Sequence, residues 1–289
     1  MVEILNGVPW FSPMWARCPR TIWLHHVHGP MWPLMLPSRL ARLGQVLEDR
    51  LAPPVYRREK IVTLADSSRR ELIDELGFAP QQIEVVNVGV DEHFSPGGEK
   101  SPVPLVLAVG RMAPAKRFDA VVRAAAAARR KVPDLQLVIV GDGDERAKVE
   151  ATVAELRAGP SAEGWVHLPG SVSDDELLDL YRRAWVLTSA SVAEGWGMTI
   201  TEAAACGTPA VVTDITGHSD AVRHGRSGLL VPDGELGAAL VLALTDHPLR
   251  ARLADGALAR AGELSWDRTA ERTLSILAEQ ALRHRWANA

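Results

Sequence analysis

Two glutamates, Glu194 and Glu202, stand at the ends of the stretch EGWGMTITE, with Gly195 and Gly197 between them. On one helix they would lie about 12 Å apart along the axis and roughly 80° apart around it, so they would not form a facing acid–base pair. The glycines instead put Glu194 in a loop and Glu202 on the helix that follows. That separation suits the two ends of one extended ligand. Amides near Gly197 and Met198 would open the helix and favour an anion. The competing reading is a solvated loop glutamate beside a surface-helix glutamate. Ala203-Ala204-Ala205, a tightly packed helix face, weighs against it. A second cluster, Gly110-Arg111-Met112-Ala113-Pro114-Ala115-Lys116-Arg117, places spaced cations just after an apolar strand. Such a turn makes a diphosphate clamp, or else a basic turn in solvent. A third, His25-His26-Val27-His28, has a metal-like HxH spacing, but no further ligands are evident around it.

These residues need elements to position them. From about residue 105 onward, short apolar runs alternate with helical patterns. Strands are expected at 105–109, 135–140, 166–168, 185–188, 209–213 and 228–231. Helices are expected at about 119–131, 145–157, 174–184 (with Ser173 as N-cap) and 202–206, and again toward the end. Fully apolar strands joined through single helices imply a parallel sheet covered on both faces, hence a doubly wound α/β domain. Ligands bind such sheets at the carboxyl ends of the strands. Those ends are Gly110-Arg111, Gly141-Asp142, Pro169-Gly170, residues 189–197 and residues 214–217. The first ninety residues read differently. Strands are expected at 2–5, 22–24, 61–64 and 83–88, and helices at 38–51 and 67–76, without an opening strand and Gly-rich turn. Residues 91–104, with three prolines and Gly97-Gly98, read as a linker.

The chain has 289 residues, 47% of them hydrophobic and 24% charged, enough for one large or two ordinary domains. A net charge of −4 gives no basic footprint for nucleic acid. The two cysteines, Cys18 and Cys206, lie far apart and fit reduced thiols in a cytoplasmic protein. The opening MVEILNGVPWFSPMW has neither the basic nor the apolar region of a signal peptide. No run approaches the roughly 18 apolar residues of a membrane span. The expected location is therefore cytoplasmic, with peripheral membrane contact allowed. Four of the nine tryptophans, Trp10, Trp15, Trp23 and Trp32, fall in the front segment. They read as core packing, with a lipid-facing acceptor surface as the alternative.

Taken together, these pieces resemble the family 4 glycosyltransferases of the GT-B fold. The carriers are Gly110, Arg111 and Lys116; VIVGDG; Pro169-Gly170-Ser171-Val172; the Glu194 to Glu202 stretch; AAACGTPAVVTD; GRSGLLV; and Leu264-Ser265-Trp266. VVNVGVDEHFSP resembles the family's hinge but has Asn-Val-Gly-Val where Asn-Gly-Val is commoner. The resemblance runs from about residue 20 to the end. It implies a retaining, metal-independent, hexosyltransferase-like enzyme whose donor is a nucleotide-diphosphate sugar and which carries no cofactor. It implies a carbohydrate, lipid-linked or small-molecule acceptor. By it, Arg111 and Lys116 hold the diphosphate and Glu202 holds the ribose. Glu194 contacts the transferred sugar, while Gly195, Trp196, Gly197 and Met198 approach sugar and phosphates with backbone. Val172 lies against the base. A functional histidine ends an acceptor-domain strand; His25 is the first match and His26 the second, and a one-residue slip decides between them. Asp142-Gly143-Asp144 looks like the metal motif of a different glycosyltransferase fold. Here it falls on a strand-to-helix turn, with Asp144 expected as an N-cap.

The expected organisation is a partial N-terminal acceptor domain (1–92), a linker (93–104), a nucleotide-sugar-binding domain (105–265) and a C-terminal helix returning toward the front (266–289). The front is expected to be incomplete: a fragment, a misplaced start or half of a split enzyme. The alternative function is a non-catalytic nucleotide-sugar-binding fragment or subunit. A weaker third reading is a phosphorylase or sugar-nucleotide epimerase of the same fold, although no pyridoxal-phosphate lysine context is evident.

Overall fold

The computed structural model describes residues 1–5, 7–156 and 164–287. Its contacts divide the chain into two units. One is Met1–Gly89 with Ala193–Trp196 and Leu264–Ala289; the other is Val90–Val192 with Gly197–Glu263.

Four short strands build the first unit: β1 (Val2–Leu5), β2 (Thr21–Leu24), β3 (Lys60–Thr63) and β4 (Ile83–Val85). All are parallel, and their order in space is their order in sequence. Ile22, Leu24, Ile61 and Ile83 pack against Tyr56 and Leu72 to form its core. Along β1 the two-residue period of a strand turns Glu3 and Leu5 inward and leaves Val2 and Ile4 exposed. The inward Glu3 is not an error of patterning. Its carboxylate accepts hydrogen bonds from the Trp10 amide at 3.0 Å and from the Ser12 and Tyr56 hydroxyls.

Two expectations for this unit need correction. β4 stops at Val85 rather than at residue 88, because the chain leaves the sheet to run against the start of the helix Trp266–Ala287. There a Cβ on Gly89 would sit 2.2 Å from the Trp266 nitrogen, so only glycine fits. The single helix expected over 38–51 is an α-helix, Ser38–Val46, followed by a π-helical turn, Leu47–Leu51. A further helix, Ala52–Tyr56, continues from it with Pro53 and Pro54 in its first turn, and the Ala52 amide donates back to the Leu47 carbonyl. The helix Trp266–Ala287 buries Ile276 with Val62 and Val86, and Thr269 donates to the Asn87 carbonyl at 2.7 Å.

The second unit holds six strands: β5 (Leu105–Val109), β6 (Gln136–Val140), β7 (Val166–Gly170), β8 (Val186–Ser189), β9 (Ala210–Thr213) and β10 (Gly228–Val231). They form one parallel sheet in the order β10-β9-β8-β5-β6-β7, which is the 3-2-1-4-5-6 winding of a dinucleotide-type fold. Alternate residues of β5 and β6 enter different cores. Val106, Ala108, Leu137 and Ile139 meet Val121 and Leu240 on one face. Leu105, Leu107, Val138 and Val140 meet Tyr181 and Ala203 on the other. Each fully buried Val or Leu contributes about 1.5–3 kcal/mol. This double burial explains why the strands read as unbroken apolar runs. The helix expected at 202–206 begins at Met198, four residues earlier, because Gly197 at φ +86° caps it. The helix expected to end near Arg157 spans Arg146–Leu156, and residue 157 lies outside the described residues. Among the described residues no helix is long and apolar enough to cross a membrane.

Candidate functional site

In the 3-2-1-4-5-6 order the winding reverses between β5 and β8, so the turns leaving those strands flank a crevice. The turns after β5, β6 and β7 are locked to one another through backbone. Gly110 donates to the Val140 carbonyl at 3.0 Å, Gly141 to Gly170 at 2.8 Å, and Met112 to Asp142 at 2.8 Å. The approach is so close that a Cβ on Gly141 would lie 2.0 Å from the Gly110 oxygen. Arg111 is exposed on this turn. Lys116 closes the short turn Pro114–Lys116, its stem 4.0 Å from where a Gly110 Cβ would stand. Arg117, the third cation, forks onto Asp233 at 2.9 and 3.0 Å. Its charge is met within the protein, whereas Arg111 and Lys116, the two cations singled out from sequence, border the Gly110 end of β5. The Val192 amide donates to the Ala115 carbonyl at 2.9 Å, which ties the turn to the loop after β8.

That loop leads through Gly197 into the helix Met198–Ala205, on which Glu202 sits half-buried. The Tyr181 hydroxyl donates to Glu202 Oε2 at 2.8 Å. Burial raises the pKa of the Glu202 carboxyl; the Tyr181 bond opposes this, and the charges of Asp174 and Asp91 add to it. Tyr181 itself is raised by burial and by Glu202. Sequence reading missed Tyr181, because an aromatic residue at helical spacing reads as core, which its ring also is. Val172 lines a cavity of about 560 Å³ with Val138, Pro169 and Leu180. Asp142 serves local structure: its carboxylate accepts from the Gly143 amide at 2.8 Å and lies 3.6 Å from Arg146.

The remaining candidates belong to the first unit. Ala193–Trp196 clusters there, with Trp196 buried and Glu194 half-buried. A Cβ on Gly195 would meet His26 Nδ1 at 3.2 Å, the His25 carbonyl at 3.5 Å and the His25 Cβ at 3.8 Å. Both histidines therefore border this loop, and the ring that reaches it is that of His26. Burial lowers the His25 pKa. Burial, with His28 and His25 adding, lowers His26 to about 4, so its imidazole is neutral at neutral pH. Among the described residues no group of three or more His, Cys, Asp or Glu side chains is placed to hold a metal ion.

The profile of the family "Glycosyl transferases group 1" matches residues 90–260. A D-inositol 3-phosphate glycosyltransferase of Acidothermus cellulolyticus is 34% identical over 250 residues, 79% of this chain and 55% of that protein. The enzyme of the same name from Kribbella flavida is 32% identical over 83% of this chain and 59% of its own length. That from Thermobispora bispora is 31% identical over 96% and 70%. The chain thus spans a little over half the length of the first two of these relatives. Among solved structures, Anabaena HepE in complex with UDP-glucose superposes with a TM-score of 0.75 at 20% identity, over 93% of this chain and 74% of HepE. Sucrose-phosphate synthase of Thermosynechococcus elongatus superposes with a TM-score of 0.75 at 22% identity, over 94% and 69%. These likenesses carry the GT-B fold, with its two parallel α/β sheets. The chain belongs to the glycosyl transferases group 1 family.

Proposed function

We propose that this chain binds a nucleoside diphosphate sugar in its second unit and serves its transfer, with retention of configuration, to a hydroxyl of a carbohydrate, lipid-linked or small-molecule acceptor. The observation that carries the reading is the Val192–Ala115 hydrogen bond at the reversal of the sheet. It joins the Arg111–Lys116 turn to the loop that leads into the Glu202 helix. In the reaction the bond from sugar C1 to the diphosphate oxygen breaks and its electron pair leaves with the diphosphate. The acceptor oxygen bonds to C1 from the same face and its proton passes to the leaving group. Arg111, Lys116 and the amides of Gly197 and Met198 meet the charge that grows there. Donors of this kind are worth roughly 2.7–4 kcal/mol each where water is excluded. Glu202, oriented by Tyr181, accepts from ribose hydroxyls, and Val172 meets the base. Glu194 and the backbone of Gly195 and Trp196 meet the sugar. Of His25 and His26 we assign the sugar-facing role to His26, on the strength of its ring's approach to Gly195.

Two fixed cations take the place of a metal, so chelator should leave activity unchanged. Support for a lipid-linked acceptor and peripheral membrane contact comes from the helix Ser38–Val46, where Arg39, Leu40, Arg42 and Leu43 are all exposed. The test is a thermal-shift screen of UDP, GDP and ADP, followed by release of the diphosphate from the matching sugar donor with and without EDTA. A ligand at 100 times its Kd stabilises the folded state by about 2.7 kcal/mol. No shift with any of the three would reject the reading.

A further inference from the structure

We infer that Glu48 is a positioning residue, which from a buried site holds the His26 imidazole against the loop that carries Glu194. The inference rests on the proposed function, in which that loop meets the transferred sugar. Glu48 lies on the same inward stripe as Ala41 and Gly44, where the helical pattern calls for an apolar side chain, and its side chain is 2% exposed. A carboxylate there is costly to bury unless its oxygens are satisfied. They are. Glu48 accepts from the His28 amide at 2.8 Å, the Gly29 amide at 3.1 Å and Trp32 Nε1 at 2.8 Å, and His28 Nδ1 lies 3.6 Å away. Although burial acts to raise it, these bonds hold its pKa below the usual carboxylate value. Its backbone is the π-helical turn Leu47–Leu51, a feature found frequently at functional sites.

All three donors lie within six residues after His26, on the segment that leaves β2. The rings of Trp32, His28 and His26 form a ladder along this segment. Trp32 is packed so closely between two glycines that a Cβ on Gly7 would lie 3.0 Å from its ring and one on Gly44 2.6 Å. His28 tilts onto Trp32 at 5.4 Å between centroids, and His26 stacks on His28 at 4.4 Å. The last rung, His26 Nδ1, lies 3.2 Å from where a Gly195 Cβ would stand. Glu48 thus fixes the first two rungs by hydrogen bonds, and stacking passes the constraint to the third. The titratable groups around His26 are His25, His28, Glu48 and Glu194.

The test is a histidine-resolved NMR titration of the full chain, wild type against Glu48→Gln. Glutamine keeps the volume but only one acceptor oxygen, so its NH2 must face either the His28 amide or the Gly29 and Trp32 donors, and the segment must reorganise. In the wild type His26 should titrate near pH 4, held down first by burial. In the variant its midpoint should rise by about one unit or more toward the unperturbed value of about 6.5 as the ring is released to solvent, and its contact with Gly195 should be lost. A folded Glu48→Gln protein in which His26 keeps its midpoint and its contact overturns the inference. Trp32→Phe removes one donor and keeps a ring on His28. It should shift His26 in the same direction by less, and decides the matter if Glu48→Gln does not fold: an unmoved His26 then overturns the inference. Diphosphate release from UDP-glucose separates this from the proposed function. Glu48→Gln should lower kcat about tenfold at unchanged donor KM. If His26 moves in Glu48→Gln while His26→Ala releases diphosphate normally, positioning stands and the role of His26 in transfer fails.

Discussion

The two sheets of this protein hold chemistry by different means. In the second unit the winding reverses, and the turns after β5, β6 and β7 are made of backbone: Gly110, Gly141 and Gly170 hydrogen-bond or pack amide to carbonyl, with no side chain between them. In the first unit the sheet winds in one direction only, and its polar features are side chains sunk into the core. Glu3 and Glu48 each gather three hydrogen-bond donors. The lesson is that a site built on backbone tolerates almost no added atom at its glycines, whereas a site built on buried carboxylates fails when a charge is removed.

Gly141→Ala should be the most damaging change. At φ +122° with its Cβ 2.0 Å from the Gly110 oxygen, it combines strain with a backbone clash. A loss of about 4 kcal/mol or more is expected in urea unfolding. A loss under about 1 kcal/mol would mean that the turns are not locked. Glu3→Ala attacks the other kind of site. It strands the Trp10 amide and two hydroxyls, and about 1–3 kcal/mol of stability should go with them. If Glu3→Ala proves harmless while Gly141→Ala is not, buried carboxylates do not hold the first unit.

Acidity sharpens the comparison. The Glu202 pKa is raised, by burial first. The folded state thus binds its proton more tightly than the unfolded chain does. The contribution is stabilising below the ordinary carboxylate value of 4.5 and is lost as pH rises through the raised value. The proposed ribose binding by Glu202 needs the opposite form, the carboxylate. UDP affinity should therefore fall as pH drops through that raised value, before ordinary carboxylates protonate. Asp174→Asn removes a charge that raises Glu202, so it should move this fall to lower pH. An unmoved midpoint in the pH series of calorimetric Kd values would contradict it. The smallest effect belongs to Ser173→Ala. It breaks the capping box with Glu176 at the start of Asp174–Arg183. It should cost about 1 kcal/mol and leave UDP affinity as it was.

Much of the second unit was legible because its central strands, β5, β6, β8 and β9, are apolar on both faces and end in glycine or at a turn. Gly110, Gly141 and Gly170 mark the carboxyl ends where Arg111 and Val172 follow. The Ser173–Glu176 cap was readable for the same local reason. What stayed hidden was non-local. The Arg117–Asp233 fork joins residues 116 positions apart, and the Tyr181–Glu202 bond joins two helices. The π-helical turn at Leu47–Leu51 changes periodicity without a glycine or proline inside it, so a pattern search runs through it as plain helix. His25 and His26 lie one residue apart at a strand end, where a slip of one exchanges faces. No pattern in one sequence resolves that slip, whereas the Gly195 contact separates the two rings.

Calorimetric titration of UDP into the wild type, Arg111→Ala and Glu202→Ala, at matched folded fraction, tests donor binding by the second unit most directly. Glu202→Ala should lose roughly 1.5–3 kcal/mol, about 10- to 150-fold in Kd, as ribose hydroxyls lose a charged acceptor. Arg111→Ala should weaken binding in the same direction through the diphosphate. Equal affinity in all three proteins, or no binding by the wild type to any nucleoside diphosphate, would contradict the account.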